Sequence, residues 1–376
     1  MYTLLTLAAA ISMVTASPGF VSMPFQKIPS DGNSTGHTNY AVQGSTKKKV
    51  TSNPDNLQNA YYQYITSFTL GNPPQEMKAS LDTGSSDLWV YSSGASYNYD
   101  HTKSSSAEYV NDDFNIQYVD GTGASGDYYK DELTWGAASV TAQFAIDETY
   151  SDESPTGVFG VALIPSEATT GDHYRNYPYA LKDAGLIESA AYSLYLNDAD
   201  SEDGTILFGA LDKSKYTGEL GVVPLISDSS FTVHASIYGE QYPVILDAGT
   251  SLTYLPDGVL STIARDLGCT YDSYAGAYKA GSDRSKSITY TFGDVDITIP
   301  PSELYHALLN NSDELYLTIL PYTQAAYNIL LGDSFLRSAY VVYDLDNKSI
   351  GIAQADYNPS SPDYEVITSD GIPTKK

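Results

Sequence analysis

Two short segments of the sequence combine an aspartate, a glycine and a hydroxyl residue in the same order. Asp82 begins the motif Asp-Thr-Gly-Ser, and Asp247 begins the motif Asp-Ala-Gly-Thr. Each aspartate ends an apolar run and a second apolar run follows each motif, so the two segments form an internal repeat. Because Asp82 and Asp247 are 165 residues apart, about one domain length, the repeat predicts two lobes with one aspartate each.

The chemistry of such a repeat follows from two carboxylates meeting face to face. An aspartate on a tight turn is held by backbone N–H groups, and the hydroxyl of Ser85 or Thr250 can donate to its outer oxygen. Like charges within hydrogen-bond reach cannot both ionise, so the pair shares a proton and its apparent pKa values split. One carboxylate then takes a proton from a bound water, and the other donates a proton to a substrate carbonyl. This chemistry needs no metal and no other cofactor.

The elements that must position these motifs are short β-prone runs separated by turn residues. Alternating apolar and polar residues at 62–70 precede a Gly-Asn-Pro-Pro turn, and those at 288–292 end at Gly293. This spacing predicts an all-β fold built mainly from antiparallel sheet. Helical patterns are few, and they predict helices at 179–184, 257–267 and 301–309.

Composition and charge exclude several function classes. The 376 residues are 42% hydrophobic and 17% charged, which is enough to bury a large core in two domains. The 46 acidic and 19 basic residues give a net charge of −27, which argues against electrostatic binding to nucleic acid or to an anionic membrane. The single cysteine, Cys269, excludes an intramolecular disulfide and a cysteine-based zinc site.

The N-terminal region predicts export and processing. Residues 1–16 have the apolar run and small-residue end of a secretory signal peptide, although no basic residue precedes the run. Residues 17–49 lack hydrophobic periodicity and end in three lysines. Four of the 19 basic residues and one of the 46 acidic residues precede position 50, so the rest carries 15 basic and 45 acidic residues. We expect a basic pro-segment that pairs with the acidic body near neutral pH, with a solvated linker as the alternative.

The remaining boundaries follow from the repeat and from the composition. We expect an N-terminal lobe at 50–220, a C-terminal lobe at 221–357 and a flexible polar tail at 358–376. The tail has no apolar segment, so we expect no membrane anchor. A secreted monomer is expected, with an acidic vacuole as the alternative destination. Glycosylation sequons compatible with secretion stand at Asn33, Asn310 and Asn347.

Five ordered segments extend the argument beyond the two aspartates. They are the first aspartate motif at 82–90, a hairpin at 114–122, and the stretches 156–160, 204–218 and 329–344. Together they resemble the pepsin family of aspartic proteases, and its secreted fungal members most closely, from about Tyr61 to Ala355. The resemblance implies a bilobal, double-β-barrel-type fold with a cleft between the lobes. It also implies an acid endopeptidase that acts on polypeptides, with Asp82 and Asp247 as catalytic residues.

The resemblance assigns further roles around the cleft. The residues implied to support the two aspartates are Thr83, Gly84, Ser85, Gly249, Thr250 and Trp89, with the last placed to hydrogen-bond the hydroxyl of Tyr118. Those implied to form a flap over the substrate are Tyr118, Asp120, Gly121 and Thr122. The pro-segment is implied to act as an inhibitor of the enzyme, and neither a metal nor a cofactor is implied.

The second aspartate loop departs from the family pattern at one position. Ala248 stands where the family usually has a hydroxyl residue that bonds the opposite loop. Only Thr83 then keeps its half of this reciprocal contact. A buried donor left without a partner costs about 1–3 kcal/mol, so a loss of stability or activity is one reading of Ala248, and a tolerated variant is the other.

The flap departs from the pattern as well. Val119 occupies a position usually held by glycine, and we expect it to stiffen the hairpin or to change the angle of its tip. Asp120 has two possible roles. It is either a turn residue that serves Gly121 and Thr122, or a carboxylate that accepts a Lys or Arg side chain before the scissile bond.

Three other interpretations fit parts of the sequence. A glycosidase needs carboxylates about 5 Å or more apart and more aromatic sugar platforms than two tryptophans provide. A non-catalytic binding protein on the same fold would make Ala248 a first sign of lost activity. A structural β-protein would make both motifs ordinary turns, which the order of the five segments argues against. We therefore expect an acid endopeptidase that prefers bulky apolar residues, and through Asp120 also basic ones, before the scissile bond.

Overall fold

The computed structural model describes most of the chain in atomic detail. The described residues are 16–17, 19–29, 62–148, 156–201, 203–307, 314–357, 359 and 361–374. Strands dominate these ranges and helices are short, which confirms the predicted all-β class. None of the helices within the described ranges has the length and apolar character needed to cross a membrane.

Strands supply most of the regular structure in the described ranges. Those of the first half are β1 (Ala16–Ser17), β2 (Phe20–Pro29), β3 (Tyr62–Leu70), β4 (Gln75–Asp82), β5 (Leu88–Tyr91), β6 (Glu108–Gln117), β7 (Gly123–Trp135), β8 (Ala138–Asp147), β9 (Gly157–Gly160), β10 (Ala191–Tyr195), β11 (Asp203–Phe208), β12 (Ala210–Asp212) and β13 (Tyr216–Pro224). Those of the second half are β14 (Thr232–Ile237), β15 (Glu240–Leu246), β16 (Thr253–Leu255), β17 (Thr270–Asp272), β18 (Ala277–Lys279), β19 (Ile288–Phe292), β20 (Val295–Ile299), β21 (Tyr305–His306), β22 (Tyr316–Leu317), β23 (Ile319–Pro321), β24 (Leu330–Leu331), β25 (Ala339–Asp344), β26 (Ser349–Ala355) and β27 (Tyr364–Val366).

The helices are short and connect the sheets. They are α1 (Tyr177–Asp183), α2 (Asp257–Asp266), α3 (Pro301–Leu304) and α4 (Asp333–Leu336), with 3-10 turns at His101–Lys103, Ile164–Ser166, Lys213–Lys215 and Tyr322–Ala325. The first two agree with the predicted helices. The helix expected at 301–309 is wrong beyond Leu304, because Tyr305 has an extended backbone and pairs with Leu317 in β22.

One large sheet runs through both halves of the chain. Its strand order is β13-β26-β25-β10-β11-β2-β3-β4-β9-β5-β8-β7-β6, with β1 paired to β2. A second sheet has the order β20-β19-β14-β15-β24-β16-β23 and lies entirely in the second half. Smaller sheets are β17-β18-β22-β21 and β12-β27. Most pairings are antiparallel, as the alternating sequence pattern predicts.

The exceptions are parallel pairs, and two of them recur next to the repeated aspartate motifs. In the first half β9 lies between β4, to which it is parallel, and β5, to which it is antiparallel. In the second half β24 lies in the same way between β15 and β16. Asp82 ends β4, and Asp247 directly follows β15. The repeat in the sequence is therefore a repeat in topology, with one aspartate at the same place in each half.

The strand β2, which we call the leader strand, lies inside the large sheet between β11 and β3. Val21, Met23 and Phe25 are buried on one face, and Gln26 is exposed on the other. The expected lack of periodicity in residues 17–49 is therefore wrong for this part. A proline at position 24 and a lysine at an inward position interrupt the apolar alternation on which the prediction relied.

That inward lysine, Lys27, joins a buried group of charges at the boundary of the two halves. Its Nζ donates to the carbonyl oxygen of Asp198 at 3.1 Å and to that of Ala199. The N–H of Ala199 donates to Glu303, whose other oxygen accepts from Arg337 at 2.5 Å. Burial lowers the pKa of Lys27, and the nearby Arg337 acts in the same direction. The leader strand is thus linked to Glu303 and Arg337 of the second half through Ala199, while its sheet partners β3 and β11 lie in the first half.

The C-terminal residues also differ from the flexible tail expected at 358–376. Residues Tyr364–Val366 form β27 and pair with β12. Ile367 is buried, and its N–H donates to the carbonyl of Gly209 at 2.8 Å. An apolar residue within a polar segment anchors this part of the chain, which composition alone does not reveal.

Candidate active site

The two repeated aspartates meet at the centre of the molecule. Both side chains are 0% exposed, and the two carboxyl groups meet at Gly84. The N–H of Gly84 donates to Asp82, and a Cβ atom built at the same residue would lie against the carboxyl group of Asp247. The repeat in the sequence predicts one of these aspartates in each lobe, and the fold brings the two together in one site.

The two loops hold their aspartates in the same way. The N–H of Gly84 donates to Asp82 Oδ1 at 2.7 Å, and the hydroxyl of Ser85 donates to Oδ2 of the same carboxylate. The N–H of Gly249 donates to Asp247 Oδ1 at 2.8 Å. The hydroxyl of Thr250 donates to Asp247 Oδ2 at 2.5 Å. Each carboxylate therefore has an inner oxygen fixed by a glycine and an outer oxygen fixed by a hydroxyl.

Close approach of the loops requires a glycine at position 84. A Cβ atom built there would lie 2.6 Å from Oδ1 of Asp247, which is closer than real side chains come. The glycine thus allows its own loop to hold one carboxylate while the other carboxylate packs against its backbone. This requirement is steric and does not depend on backbone dihedral angles.

Burial and mutual repulsion shift the titration of the pair. Burial raises the pKa of Asp82, and the negative charge of Asp247 raises it further. Burial also raises the pKa of Asp247, while donors from Thr250, Gly249 and Gly84 act in the opposite direction. The pair therefore holds a shared proton at pH values where isolated aspartates would both be ionised.

Thr83 keeps its contact with the opposite loop. Its Oγ1 donates to the carbonyl of Leu246 at 3.1 Å and accepts from the N–H of Ala248 at 2.8 Å. Ala248 is 4% exposed, and its methyl group belongs to the main apolar core. The departure from the family pattern therefore replaces a hydroxyl with apolar packing and leaves the contact made by Thr83 intact.

The flap hairpin consists of β6, β7 and the turn between them. Gly121 has a positive φ of 91°, and its N–H donates to the carbonyl of Tyr118 at 3.0 Å. The N–H of Tyr118 donates in turn to the carbonyl of Thr122 at 2.9 Å. Asp120 Oδ1 accepts from the N–H and the hydroxyl of Thr122, at 2.8 and 2.7 Å. Asp120 is thus a turn residue, one of the two roles open to it.

Tyr118 connects the flap to the first lobe. Trp89 Nε1 donates to its hydroxyl at 2.7 Å, which is the hydrogen bond that the sequence predicted. The ring is buried, and burial together with the charge of Asp82 raises the pKa of Tyr118 well above its ordinary value. The flap is therefore anchored to the first lobe through Trp89, and the pair Asp82 and Asp247, which we call the dyad, is buried.

The comparisons with known proteins agree with this geometry. Residues 63–355 match the family described as "Eukaryotic aspartyl protease". The chain belongs to the eukaryotic aspartyl proteases. The "Acid protease" of Saccharomycopsis fibuligera is 39% identical over 326 residues, which cover 80% of this chain and 83% of that protein. "Candidapepsin-3" of Candida albicans is 35% identical over 377 residues, which cover 92% of each chain.

A solved structure of the same fold matches the protease as well. The crystal structure of an aspartic proteinase from Irpex lacteus superposes with a TM-score of 0.69 and covers 78% of this chain and 95% of that chain. Their sequences are 22% identical, so the match establishes the shared bilobal fold. The chain is an aspartic-type endopeptidase that hydrolyses polypeptides, and the resemblance stated from the motifs is confirmed.

Sequence reasoning gave no role to a buried acidic network behind the first aspartate loop of the protease. Asp87 Oδ1 accepts from the hydroxyls of Tyr128 and Tyr174 at 2.7 and 2.9 Å, and Oδ2 accepts from the N–H of Ala168 at 2.8 Å. Asp87 lies in the first aspartate motif, so its spacing was a usable signal. Its partners come from distant elements, which no local pattern reveals.

Glu167 borders the same network and is almost completely buried. Its Oε2 accepts from the N–H of Tyr174 at 2.8 Å and lies 3.2 Å from Nδ1 of His173. Burial raises the pKa of Glu167 to about 9. Glu167 therefore holds the backbone of Tyr174, whose hydroxyl donates to Asp87. No sequence feature singled out this glutamate.

A second acidic residue supports the other loop of the protease. The N–H of Asp333 donates to the carbonyl of Thr250 at 2.8 Å, which ties α4 to the loop of Asp247. Burial raises the pKa of Asp333 well above its ordinary value, while the charge of Arg337 opposes the shift. Both aspartate loops are thus backed by a buried carboxyl group, from different parts of the chain.

The predicted modification sites are only partly described. Asn33 and Asn310 lie outside the described residues. Asn347 is exposed on a turn, and its Nδ2 donates to both carboxylate oxygens of Asp344, at 3.2 and 3.0 Å. Glycosylation of Asn347 would require that nitrogen to give up one of these contacts. Within the described ranges, no three His, Cys, Asp or Glu side chains are grouped to hold a metal ion.

Proposed function

We propose that the protein is an acid endopeptidase in which Asp82 and Asp247 activate water between them. The single observation that carries the proposal is that the two buried carboxyl groups meet at Gly84, whose N–H donates to Asp82 Oδ1 at 2.7 Å and where a Cβ atom would lie 2.6 Å from Asp247 Oδ1. A pair with one shared proton contains a base and an acid side by side, which is what hydrolysis of an amide needs.

In the free enzyme the pair of aspartates holds one shared proton, so one carboxyl group is ionised and the other is neutral. Each carboxylate is stabilised by one glycine N–H and one hydroxyl donor, from Gly84 and Ser85 at Asp82 and from Gly249 and Thr250 at Asp247. The charge of Asp247 in turn favours the protonated form of Asp82. The pair of aspartates keeps one shared proton over a pH range that the pKa values of both groups set together.

The reaction then proceeds in two balanced steps. Asp247 accepts a proton from water as the water oxygen bonds to the carbonyl carbon, and Asp82 gives its proton to the carbonyl oxygen. In the second step the amine nitrogen receives the proton held by Asp247 as the C–N bond breaks. One hydroxyl of the intermediate returns a proton to Asp82, which leaves a carboxylic acid, an amine and the starting dyad.

The preferred residue before the scissile bond is bulky and apolar, with Lys or Arg also accepted. Support for the basic preference is the carboxylate of Asp120 at the tip of the flap, although its Oδ1 also holds Thr122. A peptide library randomised at the residue before the scissile bond tests this preference. Cleavage after Lys and Arg that disappears in Asp120→Asn is expected, and no cleavage after either residue excludes this preference.

We also propose secretion as a zymogen. The relative named "Secreted aspartic protease 3" from Candida albicans supports export, with 35% identity over 92% of this chain. Inhibition of the enzyme is assigned to the pro-segment, residues 17–49, whose leader strand pairs with β3 and β11 in the sheet. Residues 30–49 themselves lie outside the described ranges.

The test is hydrolysis of an acid-denatured protein between about pH 3 and 7, with the wild type, Asp247→Asn and pepstatin, the family's peptide inhibitor. We expect activity only at acid pH, abolished by the substitution and by the inhibitor. The exposed Asp172 provides the control, because Asp172→Asn makes the same chemical change away from the dyad. A folded, processed wild type without activity would reject the proposal and favour a binding protein on this fold.

A further inference from the structure

The tip of the flap carries a branched apolar side chain in an unusual place. Val119 is only 4% exposed, although the next residues of the turn, Gly121 and Thr122, are exposed to solvent. A residue at the tip of a hairpin is buried only when another part of the molecule covers it. The question is therefore what covers Val119.

The answer is the second lobe. Val119 belongs to a buried apolar cluster whose other members all lie between positions 245 and 330, among them Ile245, Leu252, Tyr254 and Leu330. The neighbouring flap residue Tyr118 belongs to a different cluster, formed within the first lobe. Adjacent residues of the flap thus pack on opposite lobes.

Three members of the cluster that contains Val119 lie close to Asp247 in the chain or in the sheet, and we call them the wall beside the second aspartate. Ile245 precedes Asp247 by two residues on β15, and Leu330 is its register partner on β24. Leu252 follows Asp247 by five residues, just before β16. The flap therefore contacts the first lobe through Tyr118 and the wall next to Asp247 through Val119.

The side chain has little freedom to leave this position. The turn is closed by the hydrogen bonds from Gly121 to Tyr118 and from Tyr118 to Thr122, and Asp120 ties the same residues. A valine has two heavy atoms on its Cβ, so its first side-chain torsion is restricted. The methyl groups therefore move with the hairpin as a unit.

We propose that Val119 is a specificity-determining residue that closes the flap on the second lobe and limits the size of the substrate side chain bound beside Asp247. The inference rests on the proposed function, because a substrate must lie between the flap and the dyad. A large side chain directed at the wall of Ile245 and Leu330 competes for the volume that Val119 fills. The enzyme therefore favours small side chains at that one position.

The experiment compares Val119→Gly and Val119→Thr with the wild type on a peptide library randomised on both sides of the scissile bond. We expect Val119→Gly to improve kcat/KM for bulky residues at a single position by about tenfold or more relative to alanine. Val119→Thr keeps the volume and should keep the wild-type preference. Val110→Gly, on β6 of the same hairpin, packs only within the first lobe and is the control for general loosening.

A second measurement does not depend on activity. Hydrogen exchange of the Tyr118 and Gly121 amides should be faster in Val119→Gly, which loses the apolar contact with the second lobe, and should change less in Val119→Thr, which keeps one methyl group. An unchanged library profile together with unchanged exchange in Val119→Gly would overturn the inference. If wild type and variants all fail to cleave any peptide while the exchange rates still differ, the proposed function fails instead, and the flap contact stands.

Discussion

The hydroxyl of Thr83 crosses the boundary between the lobes and accepts a hydrogen bond from the backbone N–H of Ala248 at 2.8 Å. This contact fixes the two aspartate loops relative to each other. Because the second loop has alanine at position 248, which has no side-chain hydroxyl, the side chain of Thr83 maintains the contact alone.

Removing this hydroxyl should therefore be costly. In Thr83→Ala the buried N–H of Ala248 loses its partner, and we expect the free energy of unfolding to fall by about 1–3 kcal/mol, with a parallel loss of activity. Urea unfolding of the processed protein measures the effect. Thr83→Ser keeps the hydroxyl and should retain most of the stability, so an equal loss in both variants would count against this role.

The hydrogen bond between Trp89 and Tyr118 gives a second prediction. In Tyr118→Phe the flap remains apolar, but Nε1 of Trp89 is left without its partner in a buried site. We expect kcat/KM to fall about tenfold or more, since an unpaired buried donor costs about 1–3 kcal/mol. Steady-state kinetics tests it, with Tyr109→Phe on the exposed side of the same hairpin as the control. Unchanged kinetics in Tyr118→Phe would show that the bond has no role in catalysis.

The buried carboxyl groups predict how stability depends on pH. Glu167, whose pKa is raised to about 9, binds its proton more tightly in the folded state than in the unfolded state. Its contribution is complete below the unfolded pKa of about 4.5 and is lost progressively as the pH rises towards 9. Burial raises the pKa of Asp87 and of Asp333 as well, so these groups act in the same direction. The melting temperature should therefore fall between mildly acid pH and pH 8.

The variant Glu167→Gln separates the contribution of Glu167 to this pH dependence from the contributions of Asp87 and Asp333. Glutamine stays neutral, so the decline of the melting temperature with pH should become shallower, while the value at pH 4 changes little. Glu188→Gln, at an exposed position, provides the matched control. A melting temperature that rises steadily from pH 4 to pH 7 in the wild type would contradict the prediction.

The buried lysine of the leader strand gives a fourth prediction. Lys27→Met keeps a long apolar stem but leaves the carbonyls of Asp198 and Ala199 without this donor. The unprocessed chain should lose about 1–3 kcal/mol of unfolding free energy. Gln26→Ala changes the exposed neighbour on the same strand and should have little effect. Chemical unfolding of the wild type and of both variants measures the difference. If Lys27→Met is as stable as the wild type, Lys27 does not stabilise the fold.

A structural feature could be predicted from the sequence when the residues that determine it lie close together in the chain. Asp82 and Ser85 follow from a motif in which a few neighbouring residues determine the geometry, whereas the contact between Trp89 and Tyr118 was implied by the family resemblance. The interaction of Asp87 with two distant tyrosines depends on tertiary packing, and so does the burial of Glu167. Val119 was noticed as an unusual flap residue, but its contact with the other lobe required the three-dimensional structure.

The leader strand is another element that the local sequence pattern did not predict. Its pattern failed to predict a strand because a proline and a lysine occupy positions that an isolated β-strand would avoid. Sheet pairing on both sides and the carbonyl partners of Lys27 compensate for these residues. Both forms of compensation come from segments more than 30 residues away in the sequence.

The central position of the leader strand has a consequence for maturation. Hydrolysis of the chain at the lysines 47–49 would break a covalent link without removing any of the hydrogen bonds between β2 and its neighbours. Departure of β2 would instead uncover two unpaired edges, on β3 and on β11, and such edges are templates for a new strand. Cutting and dissociation are thus separate events, and the second one is complete only when another segment takes the vacated place in the sheet.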